Sequence, residues 1–343
     1  MRGRKALAAT LPPHLFALLA AVAGRPAMSA NGFDHRLRRA GVFALDDPPP
    51  SPGTAEHLLP AHTVIDRQIL LTGLDDVVHF GRRCIGYDSD GDVVTARFAD
   101  GGTAQGSLVV AADGIGSVIR SQRLPHARVV DSGTRLIYGR VPLTAELRRA
   151  LPAAMFSVFN SVIGPDHRFV GIAPVEYRES PGAAAARSAS GEDLRDLVLE
   201  QLSGWHPLVT RIVEGWAPGS VYPITVRSSI PVPRWQASNV TLLGDAIHAM
   251  SPAAGAGANM ALRDGAALAA ALVDVTDGRP LLDAMREYEQ AYGGGGISYC
   301  AAVGRERDTG AGSRSAAGVT GPVGAAIPAM PRIGSRPSTV ATP

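Results

Sequence analysis

The run Val240-Thr241-Leu242-Leu243-Gly244-Asp245-Ala246-Ile247-His248-Ala249-Met250-Ser251-Pro252-Ala253-Ala254-Gly255-Ala256-Gly257-Ala258-Asn259-Met260-Ala261-Leu262 organises the rest of this 343-residue chain. Val240 to Leu243 carries no charged position and is apolar apart from Thr241, the pattern of a short strand covered on both faces. At Gly244 the missing side chain lets a ligand approach the backbone, and Asp245 then offers a carboxylate to ligand hydroxyl groups. Pro252, Gly255 and Gly257 make a constrained loop whose free N–H groups lead into the positive end of a helix, a setting suited to developing negative charge. That helix is expected over Ala258 to Asp274, with apolar positions at Ala258, Ala261, Leu262, Gly265, Leu268, Ala269 and Leu272. A strand running into a loop and then a helix is a ligand-binding arrangement of α/β proteins. His248 sits beside Asp245 and reads as a packing residue rather than a general base.

A second unit of similar form lies upstream. Leu108 to Ala112 reads as a buried strand, followed by Asp113-Gly114-Ile115-Gly116-Ser117-Val118-Ile119-Arg120. Taken alone, this is an Asp-Gly turn closing a strand, with Ser117 and Arg120 on the next helix. Ahead of it, Val77 to Tyr87 and Val93 to Phe98 read as strands. Asp88-Ser89-Asp90-Gly91-Asp92 and Asp100-Gly101-Gly102 punctuate them, so a β-meander feeds the buried strand. Asp66 to Leu74 has helical apolar spacing and carries Arg67.

Other segments fill in the outline. An amphipathic helix is expected with Leu15, Leu18, Leu19 and Val22 on one face, and a polar, Pro-rich loop after Gly32, ending in Pro48-Pro49-Pro50-Ser51-Pro52-Gly53. Arg135 to Val141, Met155 to Ile163 and Phe169 to Val175 are strand-like. Gly182 to Ala186 reads as a loop insertion, and Glu192 to Leu202 as a helix opened by a capping box at Ser190 and Asp193. Leu281 to Tyr292 is helical in pattern.

The stretch from Val240 to Leu262 closely resembles the Gly-Asp motif of the flavoprotein aromatic hydroxylases, the FAD-dependent monooxygenases of the para-hydroxybenzoate hydroxylase class. Val109 to Arg120 resembles that family's Asp-Gly motif, and Asp66-Arg67-Gln68-Ile69-Leu70 its arginine-bearing helix. The resemblance covers roughly Leu11 to Tyr292. It implies an α/β fold in which a doubly wound FAD-binding domain, Rossmann-like and of the glutathione-reductase type, is interleaved with a sheet-based substrate domain. Residues 61–131 and 236–292 would form the FAD-binding segments and 132–235 the substrate domain. Residues 1–60 would be an N-terminal portion on the substrate-domain side, and 293–343 a disordered tail. The implied cofactor-binding residues are Arg67, Asp113, Gly114, Gly244, Asp245, Ala246, Pro252, Gly255, Gly257, Ala258 and Asn259. The implied reaction uses NADH or NADPH to reduce FAD. O2 is then taken up as a flavin C4a-hydroperoxide, and one oxygen atom passes to an aromatic or polyketide-like small molecule. No protein nucleophile is needed, because the cofactor supplies the hard step.

The chain also departs from the family. No G-x-G-x-x-G occurs, although the family opens with a βαβ unit in which those glycines approach the ADP half of FAD. From Gly293 onward the 51 residues contain 11 Gly and 5 Pro but no Leu, Phe or Trp, and cannot build a core. The expectation is a truncated chain with an aberrant tail. The alternative to a working enzyme is an inactive remnant that does not bind FAD.

Composition narrows the remaining choices. With 45% hydrophobic and 19% charged residues and a net charge of +2, the chain is an ordinary globular protein with no electrostatic signature of a nucleic-acid partner. Cys84 and Cys300 are the only cysteines, with no metal-ligand spacing, which fits a reducing, cytoplasmic setting without disulfides or structural metal. No apolar run reaches the ~20 residues that span a bilayer, so stable membrane insertion is not expected. Arg2, Arg4 and Lys5 ahead of Leu15 to Ala23 imitate a signal peptide, but Pro12-Pro13-His14 interrupts the pattern. No G-x-S-x-G, phosphate-binding P-loop or H-E-x-x-H motif supports another catalytic class.

Overall fold

The computed structural model describes residues 2–22, 30–43, 63–157, 159–165, 168–176, 192–217, 219–251 and 257–290. The first elements are α1 (Arg2–Thr10), α2 (Pro13–Val22), β1 (Ala30–Asp34), β2 (Arg39–Phe43) and α3 (Thr63–Leu71). Then come β3 (Cys84–Asp90), β4 (Val93–Phe98), β5 (Thr103–Gly106), β6 (Val109–Ala111), α4 (Val118–Arg123) and β7 (Val129–Tyr138). They are followed by α5 (Ala145–Ala150), β8 (Phe159–Ile163), β9 (Phe169–Ile172), α6 (Glu192–Gln201), α7 (Pro207–Glu214) and β10 (Tyr222–Ser229). The last are β11 (Val240–Leu242), α8 (Asp245–His248) and α9 (Gly257–Thr276), with a final helix α10 over 281–290.

Strand β11 pairs in parallel with β6, Val240 opposite Val109 and Leu242 opposite Ala111. Both strands are fully apolar except for Thr241, whose hydroxyl donates to the buried Glu289 of α10 (2.9 Å). Around them packs one core, including Val94, Ile119, Leu124, Ile247, Leu268, Met285 and Tyr288. The meander β3-β4-β5 lies beside it, with Gly91 (φ +59°) and Gly101 (φ +83°) supplying the left-handed turn positions. A second core fills one side of a four-stranded sheet of order β2-β1-β8-β9, where Phe33, Met155, Val162 and Ile172 meet Trp205, Leu208, Val209 and Ile212. The antiparallel ribbon β7–β10 has its own pairing, and the Ser229 N–H at its end donates to Ala249 O (2.8 Å).

Several expectations need correction. The stretch after Gly32 is not all loop: β1 and β2 form a hairpin with a bulge at Gly32/Phe33, and β1 gains its other neighbour from β8, 129 positions on in register (Ala30 opposite Phe159). Sequence-distant pairing, invisible in local pattern, stabilises it. The expected strand over Val77 to Tyr87 begins only at Cys84, because the Val77 and Val78 N–H groups turn back to Leu74 O and leave Val77 and Phe80 exposed. Leu15 and Leu19 pack on Ile69, but Leu18 points to solvent. In α9 Leu268 is buried, while Ala258 and Ala269 are exposed. Helices α1, α5 and α7 and strands β5 and β10 were not expected individually. The capping box at Ser190, the Gly182–Ala186 insertion, Pro48–Gly53 and the 293–343 segment lie outside the described residues. Among the described residues no helix is long and apolar enough to cross a membrane.

Candidate functional site

The parallel pairing of β6 and β11 brings two turns together. Each follows the carboxyl end of its strand, and the register continues one step further as the Leu243 N–H donates to Ala111 O (3.0 Å). The edge beyond the carboxyl ends of adjacent parallel strands is where open α/β sheets place ligands.

On the β11 side, Gly244 has φ +58°, and a Cβ there would lie 3.0 Å from the Ala261 Cβ of α9. The glycine is therefore required twice, by conformation and by space. Its carbonyl accepts from the Ile247 and His248 N–H groups (3.0 Å each) and starts the single turn α8. From Asn239 to Ala249 every residue is buried or half-buried except Asp245, which is exposed. Asp245 makes no hydrogen bond among the described residues. A Cβ on Gly257 would sit 4.0 Å from Asp245 Oδ1, so the carboxylate borders the first turn of α9, where Ala258 and Asn259 are also exposed. Ala246 is buried beneath. Pro252 and Gly255, expected in the connecting loop, lie outside the described residues.

A residue not singled out from the sequence holds this turn. Asp264 Oδ2 accepts from the Gly244 N–H (3.0 Å) and lies 2.5 Å from His248 Nε2, so one carboxylate of α9 clamps both ends of the Gly244–His248 segment. Burial disfavours the charged imidazole, but the Asp264 hydrogen bond and charge, helped by the Asp245 charge, outweigh it and raise the His248 pKa above its ordinary value. A signal existed in the sequence: Gly257, Ala261, Asp264 and Leu268 recur at helical spacing, which puts an acid on an inward stripe.

On the β6 side, Asp113 is exposed, and its Oδ2 accepts from the Val118 N–H (3.0 Å). Gly114 takes φ +74°, and Ser117 caps α4 by accepting from the Arg120 N–H (2.9 Å). Arg120 is 7% exposed and donates to Ala246 O (2.9 Å) and Ile115 O (2.8 Å), joining the two turns. Burial lowers its pKa, and the Asp113 charge opposes that shift.

Arg67 is not brought to this corner by any described hydrogen bond. It is exposed on α3 with its guanidinium 5.5 Å from the Phe80 ring centroid. The other described candidates lie on these two turns and the start of α9, which present exposed carboxylates at Asp113 and Asp245 and the half-buried Gly257; Gly244 itself is buried, and the space left by its missing side chain is taken by Ala261 rather than left open to a ligand. That donor and acceptor set fits a cofactor with hydroxyl groups and an electron-accepting ring. Among the described residues no group of three or more His, Cys, Asp or Glu side chains could hold a metal ion.

Residues 72–291 match the family described as FAD binding domain. Over 271 residues the chain is 32% identical to the dual O-methyltransferase/FAD-dependent monooxygenase CTB3 of Cercospora beticola, covering 66% of this chain and 31% of that protein. It is 30% identical over 212 residues to 6-hydroxynicotinate 3-monooxygenase of Pseudomonas fluorescens, covering 59% of this chain and 53% of that enzyme. The chain therefore spans about a third to a half of the length of these relatives. Among solved structures, a protein assigned as an FAD containing monooxygenase of Photorhabdus luminescens subsp. laumondii superposes with a TM-score of 0.70 at 26% identity, covering 89% of this chain and 84% of its own.

Proposed function

Because this chain belongs to the FAD-binding-domain family of the FAD-dependent aromatic hydroxylases, we propose that it holds FAD at the β6/β11 corner and serves as a monooxygenase of an aromatic or polyketide-like small molecule. The observation that carries this reading is the exposed carboxylate of Asp245, which makes no described hydrogen bond, in an otherwise buried run beside the glycine start of α9. An aspartate left in that state contributes little to folding and is available to ligand hydroxyls. Asp245, with Gly244 and Ala246 shaping its turn, would bind the polyol chain. Pro252, Gly255, Gly257, Ala258 and Asn259 would face the ring, where N–H groups at a helix start favour negative charge. Asp113 and Gly114 would border the phosphate and ribose region; Arg67, which the resemblance also implies, would have to leave its place over Phe80 to reach it.

The chemistry that a bound flavin supplies, with NADH or NADPH as electron source, is insertion of one atom of O2 into an organic substrate. The protein's share is orientation and exclusion of water. The four-stranded sheet and the 132–235 segment would line the substrate side. The relative named for oxidising 6-hydroxynicotinate supports an aromatic ring as the class to assay first. The test is to incubate the purified chain with FAD, desalt it and record the visible spectrum. Retained flavin absorbance, followed by substrate-dependent NAD(P)H oxidation, is the expected result; a folded, colourless protein would sink the proposal.

A further inference from the structure

We propose that Arg120 is a positioning residue that locks the Asp-Gly and Gly-Asp turns into one rigid unit, so that a ligand held by either turn is felt by the other. The ligand named for the test rests on the FAD reading above, whereas the lock rests on geometry alone. The two carbonyls that Arg120 engages belong to Ile115, which directly follows Gly114, and Ala246, which directly follows Asp245. Those segments are far apart in sequence, and this guanidinium bridges them beyond the strand register. Both exposed carboxylates, Asp113 and Asp245, thus stand within two residues of a carbonyl held by the same planar group.

A buried cation is costly unless it is engaged, and an arginine fork can satisfy two divergent carbonyls at fixed angles; both terminal nitrogens of Arg120 are so used, while its buried Nε has no partner. Lysine offers a point charge on a flexible stem and cannot hold the same two-point geometry. The local frame supports the fork: Ser117 caps the turn from which Arg120 projects, and Asp113 lies close enough to stabilise its charge. Arg123, one turn further along α4, provides an internal contrast. It donates to Val240 O and Gln236 O, which anchors α4 to β11 and its approach without touching either turn.

The experiment compares wild type, Arg120→Lys, Arg120→Ala and Arg123→Lys by flavin fluorescence titration and by amide hydrogen exchange of the apo chain. Arg120→Lys should weaken FAD about tenfold, and Arg120→Ala at least as much, with affinity partly restored by added methylguanidinium. Arg123→Lys should stay within about twofold of wild type. In Arg120→Ala the amides of 115–118 and 244–248 should lose protection together. Equal losses for Arg120→Lys and Arg123→Lys, or no response to methylguanidinium, would overturn the lock as a specific device. Should wild type itself fail to bind FAD, the functional reading falls, and hydrogen exchange alone decides the lock: joint loss of protection in both turns upholds it, and unchanged protection refutes it.

Discussion

Asn160 in β8 and Asp245 at the start of α8 are both polar residues in otherwise buried surroundings, but their environments differ in a telling way. Asn160 is fully enclosed, and its amide donates to Met155 O (2.7 Å) and Ile172 O (3.0 Å) while accepting from the Ser157 hydroxyl (2.8 Å). Asn31, its register partner in β1, is closed in the same manner, donating to Ala154 O (2.6 Å) and accepting from Arg39 (2.9 Å). Asp34, at the end of β1, folds its carboxylate back on the Arg36 and Arg38 N–H groups and the Arg38 side chain. The four-stranded sheet thus spends its polar groups on itself. At the β6/β11 corner, by contrast, the buried Arg120 and His248 and the half-buried Asp264 are engaged, and they hold up Asp245, which is exposed and makes no described hydrogen bond. The supporting residues there serve the fold, and the residue they present is left for something else.

The strongest way to break that contrast is to remove the support. Asp264→Ala removes the carboxylate that the buried His248 and the Gly244 N–H share, and should cost about 3–5 kcal/mol in urea unfolding. A loss under about 1 kcal/mol would mean that the clamp is not holding the turn. Met155→Ala, in the other core, should cost about 3 kcal/mol through cavity formation, since Met155 is completely buried. Its folded fraction should bind FAD as wild type does, which would separate the two regions functionally. Gly244→Ala should be milder, about 1–2 kcal/mol, from a left-handed backbone and the tight approach to Ala261.

The His248 pair adds a pH signature of smaller size. Its folded-state pKa is raised, so its stabilisation is complete below the unfolded value of about 6.5 and is lost as pH rises through the folded value. Melting temperature should therefore decline as pH climbs above about 6.5, and His248→Asn should flatten that slope. A slope of the same size in the variant would assign the effect to another group.

Much of this was legible in the chain itself, for reasons that differ by element. Strand β4 runs from Val93 to Phe98 as the turn residues on either side require, and β11 and α9 follow from an apolar run and a helical period. Gly244-Asp245 and Asp113-Gly114 stood out because they interrupt such runs with residues that packing does not ask for. The β1–β2 hairpin was hidden because Gly32 and Gly41 carry no pattern, and its order comes from β8, far along the chain. Strand β10 was obscured by Pro223, and α7 opens on His206, whose ring accepts from the Leu208 N–H (3.1 Å) in place of the usual small cap. Asp264 and Arg120 read as ordinary helix charges until the fold shows which carbonyls, N–H groups and ring atoms they meet. Side chains that act through another residue are seldom marked by local sequence, because their partners lie elsewhere in the chain.

The most direct test of the central claim is an FAD titration of wild type against Asp245→Ala, with apo stability measured in parallel. Asp245 is exposed and makes no described hydrogen bond, so the substitution should leave unfolding within about 0.5 kcal/mol of wild type while weakening FAD at least tenfold. Equal affinity for the two proteins would contradict the assignment of this corner as the cofactor site.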